Sequence, residues 1–151
     1  MAEFRRMRID DVHAAAELEA EAFGKEAWKE KDFIETLGLD YALYVVAFEN
    51  EQLAGICGLR NLCGDADITN VAVSNCHRRK GIARAMLKFL MEESETLGVQ
   101  QFTLEVRAGN TPAIKLYEGL GFVTEGVRKN FYTDPVEDAL IMWNRDWRIN
   151  A

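Results

Sequence analysis

The chain has 151 residues, 48% hydrophobic and 28% charged, with only two prolines, which excludes a disordered or fibrous protein and sets one domain over residues 1–151 as the expectation. Its formal net charge of −7 and pI of about 4.9 exclude a nucleic-acid binder that works mainly by phosphate neutralisation. Such a surface suits plain solubility or a cationic substrate.

From the N-terminus, Phe4 to Ile9 alternates apolar and basic residues as a short strand does. Asp10 or Asp11 then caps a helix carrying Val12, Ala15, Ala16, Leu18, Ala22 and Phe23, which Gly24 closes. Trp28 to Leu37 reads as a second short helix, and Tyr41 to Phe48 as a buried strand rich in β-branched and aromatic residues. After the polar turn at Glu49 to Gln52, Leu53 to Leu62 and Ala66 to Val73 extend an antiparallel meander. The period then changes: Ile82, Met86, Leu87, Leu90, Met91 and Leu97 recur at helical spacing up to Gly98. Gln101 to Arg107 alternates again, with Phe102, Leu104 and Val106 on one face and Thr103, Glu105 and Arg107 on the other. A helix from Asn110 to Leu120 has Pro112 in its first turn and Gly121 beyond its end. Strands over Phe122 to Val127 and Asp138 to Asn144 complete an α/β chain, a mixed sheet flanked by helices.

Cys57, Cys63 and Cys76 are odd in number and form no C-x-x-C pair, so neither a disulfide framework nor a zinc knuckle is indicated and no metal is expected. The N-terminal residues contain no apolar signal core, and no 18-residue apolar run occurs; a cytoplasmic protein without membrane contact is the expectation.

Chemistry concentrates between Ile68 and Arg84. A strand ending in Val71, Ala72 and Val73 leads into Arg78-Arg79-Lys80-Gly81-Ile82-Ala83-Arg84 at the start of the long helix. A helix start offers unpaired N–H groups and the positive end of the dipole, which together hold a diphosphate. Gly81 and Ala83 lack bulk, and Arg79, Lys80 and Arg84 add charge that the helix dipole alone would disfavour there. No P-loop and no G-x-G-x-x-G helix opening occurs, and Gly55-Ile56-Cys57-Gly58 sits inside a strand, where a bulge is the better reading.

Arg78-x-x-Gly81-x-Ala83 after Val71-Ala72-Val73 resembles the acetyl-CoA loop of the GNAT family of N-acetyltransferases. The resemblance implies the GNAT fold: a mixed, mostly antiparallel central sheet, splayed around the acetyl-CoA site between its fourth and fifth strands. It also implies a bulged strand whose backbone binds the pantetheine arm and whose Val71 or Val73 N–H holds the acyl oxygen. Leu104-Glu105-Val106-Arg107-x-x-Asn110, Leu116-Tyr117, Gly121-Phe122 and Arg128-x-Asn130-x-Tyr132 narrow it to a branch that acetylates the N-terminal alanine of a small-subunit ribosomal protein.

Acetyl transfer to an amine needs a neutral nucleophile, an oxyanion stabiliser and a proton for the departing thiolate. The resemblance makes Glu105 the base and Tyr117 the acid; spacing alone leaves Glu105 as a surface partner of Arg107 and Tyr117 as a core residue. An α-amine of pKa about 7.8 is roughly a tenth neutral at pH 7, against below about 0.1% for lysine, so a modest base suffices for an N-terminus. A phenol of pKa about 10 facing a thiol of about 8.5 leaves full proton transfer uphill by roughly 2 kcal/mol, so a hydrogen bond that strengthens with developing charge describes it better. Asn110 serves as the helix N-cap and, by resemblance, binds the pantetheine arm. The neighbouring Cys76 and His77 invite covalent catalysis, but adjacent residues rarely face each other and no orienting acid follows.

The acceptor is expected between the Trp28 to Leu37 segment and an Asn130 to Pro135 turn, lined by Trp28, Phe131 and Tyr132 with Glu26, Glu30 and Asp134. Phe131-Tyr132-Thr133-Asp134-Pro135 departs from the pattern of the resembling branch. Two alternatives stay open: a small-amine, antibiotic or other protein acetyltransferase of the same fold, and a non-catalytic coenzyme A-binding regulatory module.

Overall fold

The computed structural model describes residues 2–150, and a seven-stranded sheet of order β1-β2-β3-β4-β5-β7-β6 forms its centre. The strands are β1 (Glu3–Arg6), β2 (Ala42–Glu49), β3 (Gln52–Leu62), β4 (Asp65–Val73), β5 (Gln101–Arg107), β6 (Val123–Thr133) and β7 (Val136–Asn144). Every neighbouring pair is antiparallel except β4 and β5, which are parallel and paired only from Asp65–Gln101 to Asp67–Thr103. Beyond that point the two strands part and the sheet opens.

Helices α1 (Val12–Phe23) and α2 (Glu30–Leu37) cover one face, and α3 (Ile82–Glu93) and α4 (Thr111–Gly119) the other; a short α5 (Trp147–Asn150) ends the described chain. The α3 face holds the larger apolar cluster, with Leu43, Val45, Cys57, Leu59, Met86, Leu87, Leu90, Phe102 and Met142 at its centre. On the α1 face Met7, Leu18, Phe33, Tyr44, Val46, Ile56 and Ala72 form a second cluster. Because α1 and α2 pack over β2 to β4, the β5–β7–β6 part of that face is left without a helix.

One irregularity organises β4. Gly58 pairs with Asn70 but Leu59 with Ile68, so Thr69 is an extra residue and the strand bulges there. The bulge resets the alternation: Ala66 and Ile68 face the α3 cluster, yet so do Val71 and Val73, while Asn70 and Ala72 turn to α1. A second bulge places Ala54 extra on β3, next to the glycine-containing segment where one was expected.

Four expectations are corrected. The first strand stops at Arg6, because Asp11 accepts from the Arg8 N–H at 2.7 Å and pairs with Arg5 at 2.6 Å, which turns the chain into α1 early. The long helix ends at Glu93, its last turn tightening to a 3-10 turn over Ser94–Leu97 before Gly98. Asn130 to Pro135 is not an open loop but mostly strand: β6 runs to Thr133, the turn is confined to Asp134-Pro135, and β7 begins at Val136. As the edge strand, β6 is exposed along nearly its whole length, so it carries no apolar alternation to read. The terminal α5 was also unforeseen; its Trp147 is buried against Phe102, with ring centroids 5.2 Å apart.

Candidate active site

The turn from β4 runs through residues 74–81 into the start of α3 at Ile82. Arg79 and Gly81 both adopt left-handed backbone, φ 63° and 76°, and Gly81 is the residue before the first helical turn. No side chain caps that helix. The N–H groups of Ile82, Ala83 and Arg84 have no protein partner among the described residues, the first helical bond being Ala85 N–H to the Gly81 carbonyl at 3.1 Å. A Cβ on Gly81 would meet nothing within 4 Å, so the surface above the turn is open. These residues fit a diphosphate.

The positive charge there is less than the sequence suggests. Lys80 is engaged by Glu49 at 3.0 Å, and Arg84 donates to the Gly119 carbonyl at 3.1 Å, tying α3 to the end of α4. Arg78 donates to the Val73 carbonyl at 3.2 Å. His77 is held by Ser74 at 2.6 Å and lies near Glu49, so it does not orient Cys76, which is exposed.

Val71 and Val73 border the opening between β4 and β5. The Ser74 N–H donates to the Ala54 carbonyl at 2.8 Å on the β3 side. Alternation then turns the N–H groups of Val73 and Val71 to the other side, where β4 has no partner strand. Asn110 caps α4, its side chain accepting from the Ala113 N–H at 3.3 Å.

Glu105 lies on β5 across the opening, on the face that no helix covers. Its side chain is 27% exposed, and its partner is Arg128, not Arg107: Arg128 Nε stands 2.6 Å from Glu105 Oε2. The contact is one of charge, because that oxygen accepts no aligned hydrogen bond. Arg107 pairs instead with Glu137 at 3.2 Å and lies over the Tyr132 ring at 4.3 Å.

Tyr117 approaches from the opposite layer, on α4. It is buried and packs on Phe122 at 5.9 Å, with Cys57 of β3 and Tyr132 of β6 disfavouring ionisation of its phenol. Burial first, then those neighbours, push the phenol up to about 12. Full transfer of its proton to a thiolate is therefore uphill by about 5 kcal/mol, against roughly 2 kcal/mol for an ordinary tyrosine.

Tyr132 links the groups. Burial and the Glu105 carboxylate raise its phenol, Arg107 opposes them, and Glu137 and Glu26 add to the rise. Glu26 lies between α1 and α2, and its charge reaches Tyr132 on β6. Phe131, the neighbour of Tyr132, is 44% exposed and meets it edge-on at 5.0 Å. Trp28 is placed differently: it stacks on Tyr44 at 5.6 Å and meets Phe33 edge-on, a member of the α1-face core.

Two features escaped the sequence. Arg60, Asp67 and Arg128 stand on the open face with Glu105, and only strand register could have placed them there. Beneath the bulge, the buried Glu19 carboxylate accepts from Asn70 at 3.0 Å and from the Trp28 backbone, and the Tyr44 hydroxyl donates to Asn70 at 2.5 Å and meets the Thr69 hydroxyl at 2.6 Å. No group of three or more potential metal ligands occurs among the described residues, and no helix is long and apolar enough to cross a membrane.

Residues 12–122 match the model of the acetyltransferase (GNAT) family. The chain is 38% identical over 138 residues to the ribosomal protein bS18-alanine N-acetyltransferase of Escherichia coli (strain K12), covering 90% of this chain and 92% of that one. It is 37% identical over 134 residues to the enzyme of the same name from Salmonella typhimurium, covering 87% and 89%. The crystal structure of the ribosomal-protein-S18-alanine N-acetyltransferase from Escherichia coli superposes with a TM-score of 0.84 at 34% identity, over 95% of this chain and 92% of that one. The fold alone is shared with a chain from the NatC complex bound to Gag peptide and CoA, TM-score 0.81 at 18% identity, over 95% and 98%. The chain is an N-acetyltransferase and belongs to the GNAT family.

Proposed function

We propose that the protein acetylates the N-terminal amine of a ribosomal protein, alanine first, with acetyl-CoA as donor. Glu105 carries this reading: a partly buried carboxylate at the mouth of the β4–β5 opening, on a stretch of sheet face that the helices leave uncovered. The acceptor class rests on relatives 37% and 38% identical over about nine-tenths of the chain, whose names specify bS18-alanine.

Acetyl-CoA supplies the activated acyl group. The turn residues Arg78, Arg79, Lys80, Gly81, Ile82, Ala83 and Arg84 would hold its diphosphate, with Val71, Ala72, Val73 and Asn110 along the pantetheine arm. The N–H of Val71 or Val73 receives the acyl oxygen, and its fixed direction means that no reorganisation is needed as charge develops. Glu105 takes the ammonium proton so that the neutral amine attacks directly. Tyr117 offers its hydroxyl hydrogen to the departing sulfur; with the phenol at about 12, it acts as a hydrogen-bond donor that strengthens with charge and need not ionise.

The test is a peptide panel read by mass spectrometry: acetyl-CoA with peptides beginning Ala-Arg, with other N-termini, with internal lysines, and with polyamines. Acetylation of the Ala-Arg N-terminus is the expected result. Labelling confined to polyamines would overturn the acceptor, and tight coenzyme A binding without any product would mark a regulatory module.

A further inference from the structure

A line of four charges crosses the uncovered end of the sheet. Arg60 on β3 pairs in register with Asp67 on β4, and Asp67 pairs with Thr103 on β5 at the last contact before the strands part. Side chains in register share a face, and Glu105 lies two residues beyond Thr103 on that same face. Arg128, reaching in from β6, ends the line at 2.6 Å from Glu105. The order is therefore cation, carboxylate, carboxylate, cation, with both carboxylates at the opening.

We propose that Asp67 is the second carboxylate of the acceptor site: it receives the proton that Glu105 takes from the acceptor's ammonium group and releases it to solvent. The inference rests on the reading of Glu105 as the base. In the first step an N–H bond breaks and a Glu105 O–H bond forms, leaving a neutral amine and a neutral Glu105. In the second the proton passes to Asp67, and Glu105 is a carboxylate again. In the third Asp67 gives the proton to water. One proton moves and no electrons are exchanged.

Three observations support the pairing. First, the location fits: Asp67 is half-buried at the edge of the opening, next to Glu105 and still in contact with solvent. Second, the flanking cations hold the pair together. Arg60 Nε is buried and donates no hydrogen bond, so its contribution to the site is its charge beside Asp67. Without Arg60 and Arg128, two carboxylates on one face would repel each other. Third, the charges acting on Asp67 favour a proton acceptor. Burial and the Glu105 carboxylate raise its carboxyl above the usual range, against the opposing pull of Arg60 and Arg128. These groups, from β3, β5 and β6, are the charges that face it.

The experiment compares Asp67→Asn and Asp67→Glu with the wild-type protein on two acceptors: a peptide beginning with alanine, and the same peptide beginning with trifluoroalanine, whose amine is already neutral at pH 7. On the alanine peptide Asp67→Asn should lower kcat by about tenfold to a hundredfold, within the range of one proton-transfer group, and Asp67→Glu should restore most of it. On the trifluoroalanine peptide the deficit should shrink to within about threefold, because no proton needs to leave the nucleophile before attack. Equal deficits on both acceptors would overturn the relay and leave Asp67 a structural residue, and so would an unimpaired Asp67→Asn. If the wild-type protein acetylates neither peptide, the reading of the acceptor fails, an outcome distinct from failure of the relay.

Discussion

At the scale of single residues, the site is defined by what surrounds each titratable group. Glu105 differs from an ordinary surface glutamate in having its cation held against one oxygen without a hydrogen bond, at the edge of the β4–β5 opening, and it is the base in the proposed reaction. Glu105→Gln should therefore lower kcat by about a hundredfold or more with coenzyme A affinity unchanged, read by steady-state kinetics beside calorimetry. Glu19 invites a different measurement. Burial raises its carboxyl, and the hydrogen bonds from Asn70 and the Trp28 N–H only partly offset that. The folded protein thus binds the Glu19 proton more tightly than the unfolded chain does. Stability from this group is fully present below the unfolded value of 4.5 and is lost as pH rises through the folded one. In Glu19→Gln that loss disappears, so its urea midpoint should gain on the wild type as pH rises from about 4.5 to 7. Parallel pH curves for the two proteins would show that Glu19 carries no such penalty.

At the scale of elements, the turn before α3 depends on backbone direction more than on space. A Cβ at Gly81 would touch nothing, but φ 76° is left-handed, where a side chain costs about 1–2 kcal/mol. Gly81→Val should weaken coenzyme A binding about tenfold or more by calorimetry, because the strain is relieved by turning the N–H groups of Ile82 and Ala83 away from the diphosphate. This turn was legible in the sequence, since a basic run at a helix start contradicts the dipole unless an anion is bound. The face on which Glu105 lies was legible too, because β5 alternates without interruption. The β6–β7 hairpin was not, since Arg128, Lys129 and Asn130 are exposed on an edge strand and give no periodic signal. Nor was the Asp67–Glu105 neighbourhood: alternation assigns each residue a face, but only the parallel register of β4 and β5 puts the two at one opening. The same holds for Trp28, whose ring could have lined the acceptor site or filled the core, and whose stacking on Tyr44 only the packing of α1 and α2 decides.

For the whole molecule, the net charge of −7 acts on the encounter more than on the chemistry. An acceptor with a basic N-terminal segment is drawn to such a surface at low salt and less so when screened. Between about 50 and 500 mM salt, KM for an Ala-Arg peptide should rise severalfold while that for an uncharged peptide changes little, as initial rates would show. The order of elements was readable from periodicity because each strand or helix follows its own local pattern; the meeting of the two layers was not, because it is fixed by a single unpaired residue. Thr69 is exposed and meets the α1-face cluster only through the Tyr44 hydroxyl at 2.6 Å, yet the facing of everything after it on β4 depends on its being bulged out. Deleting it would leave Asn70 facing α1 and Val71 facing α3 as they do now, but seating it in the ladder as an ordinary strand residue would deliver Asn70 to Met86 and Leu87, and Val71 to the Glu19 carboxylate. The constraint at position 69 is therefore on backbone pairing and not on the side chain: the residue must stay out of the ladder, whatever its identity.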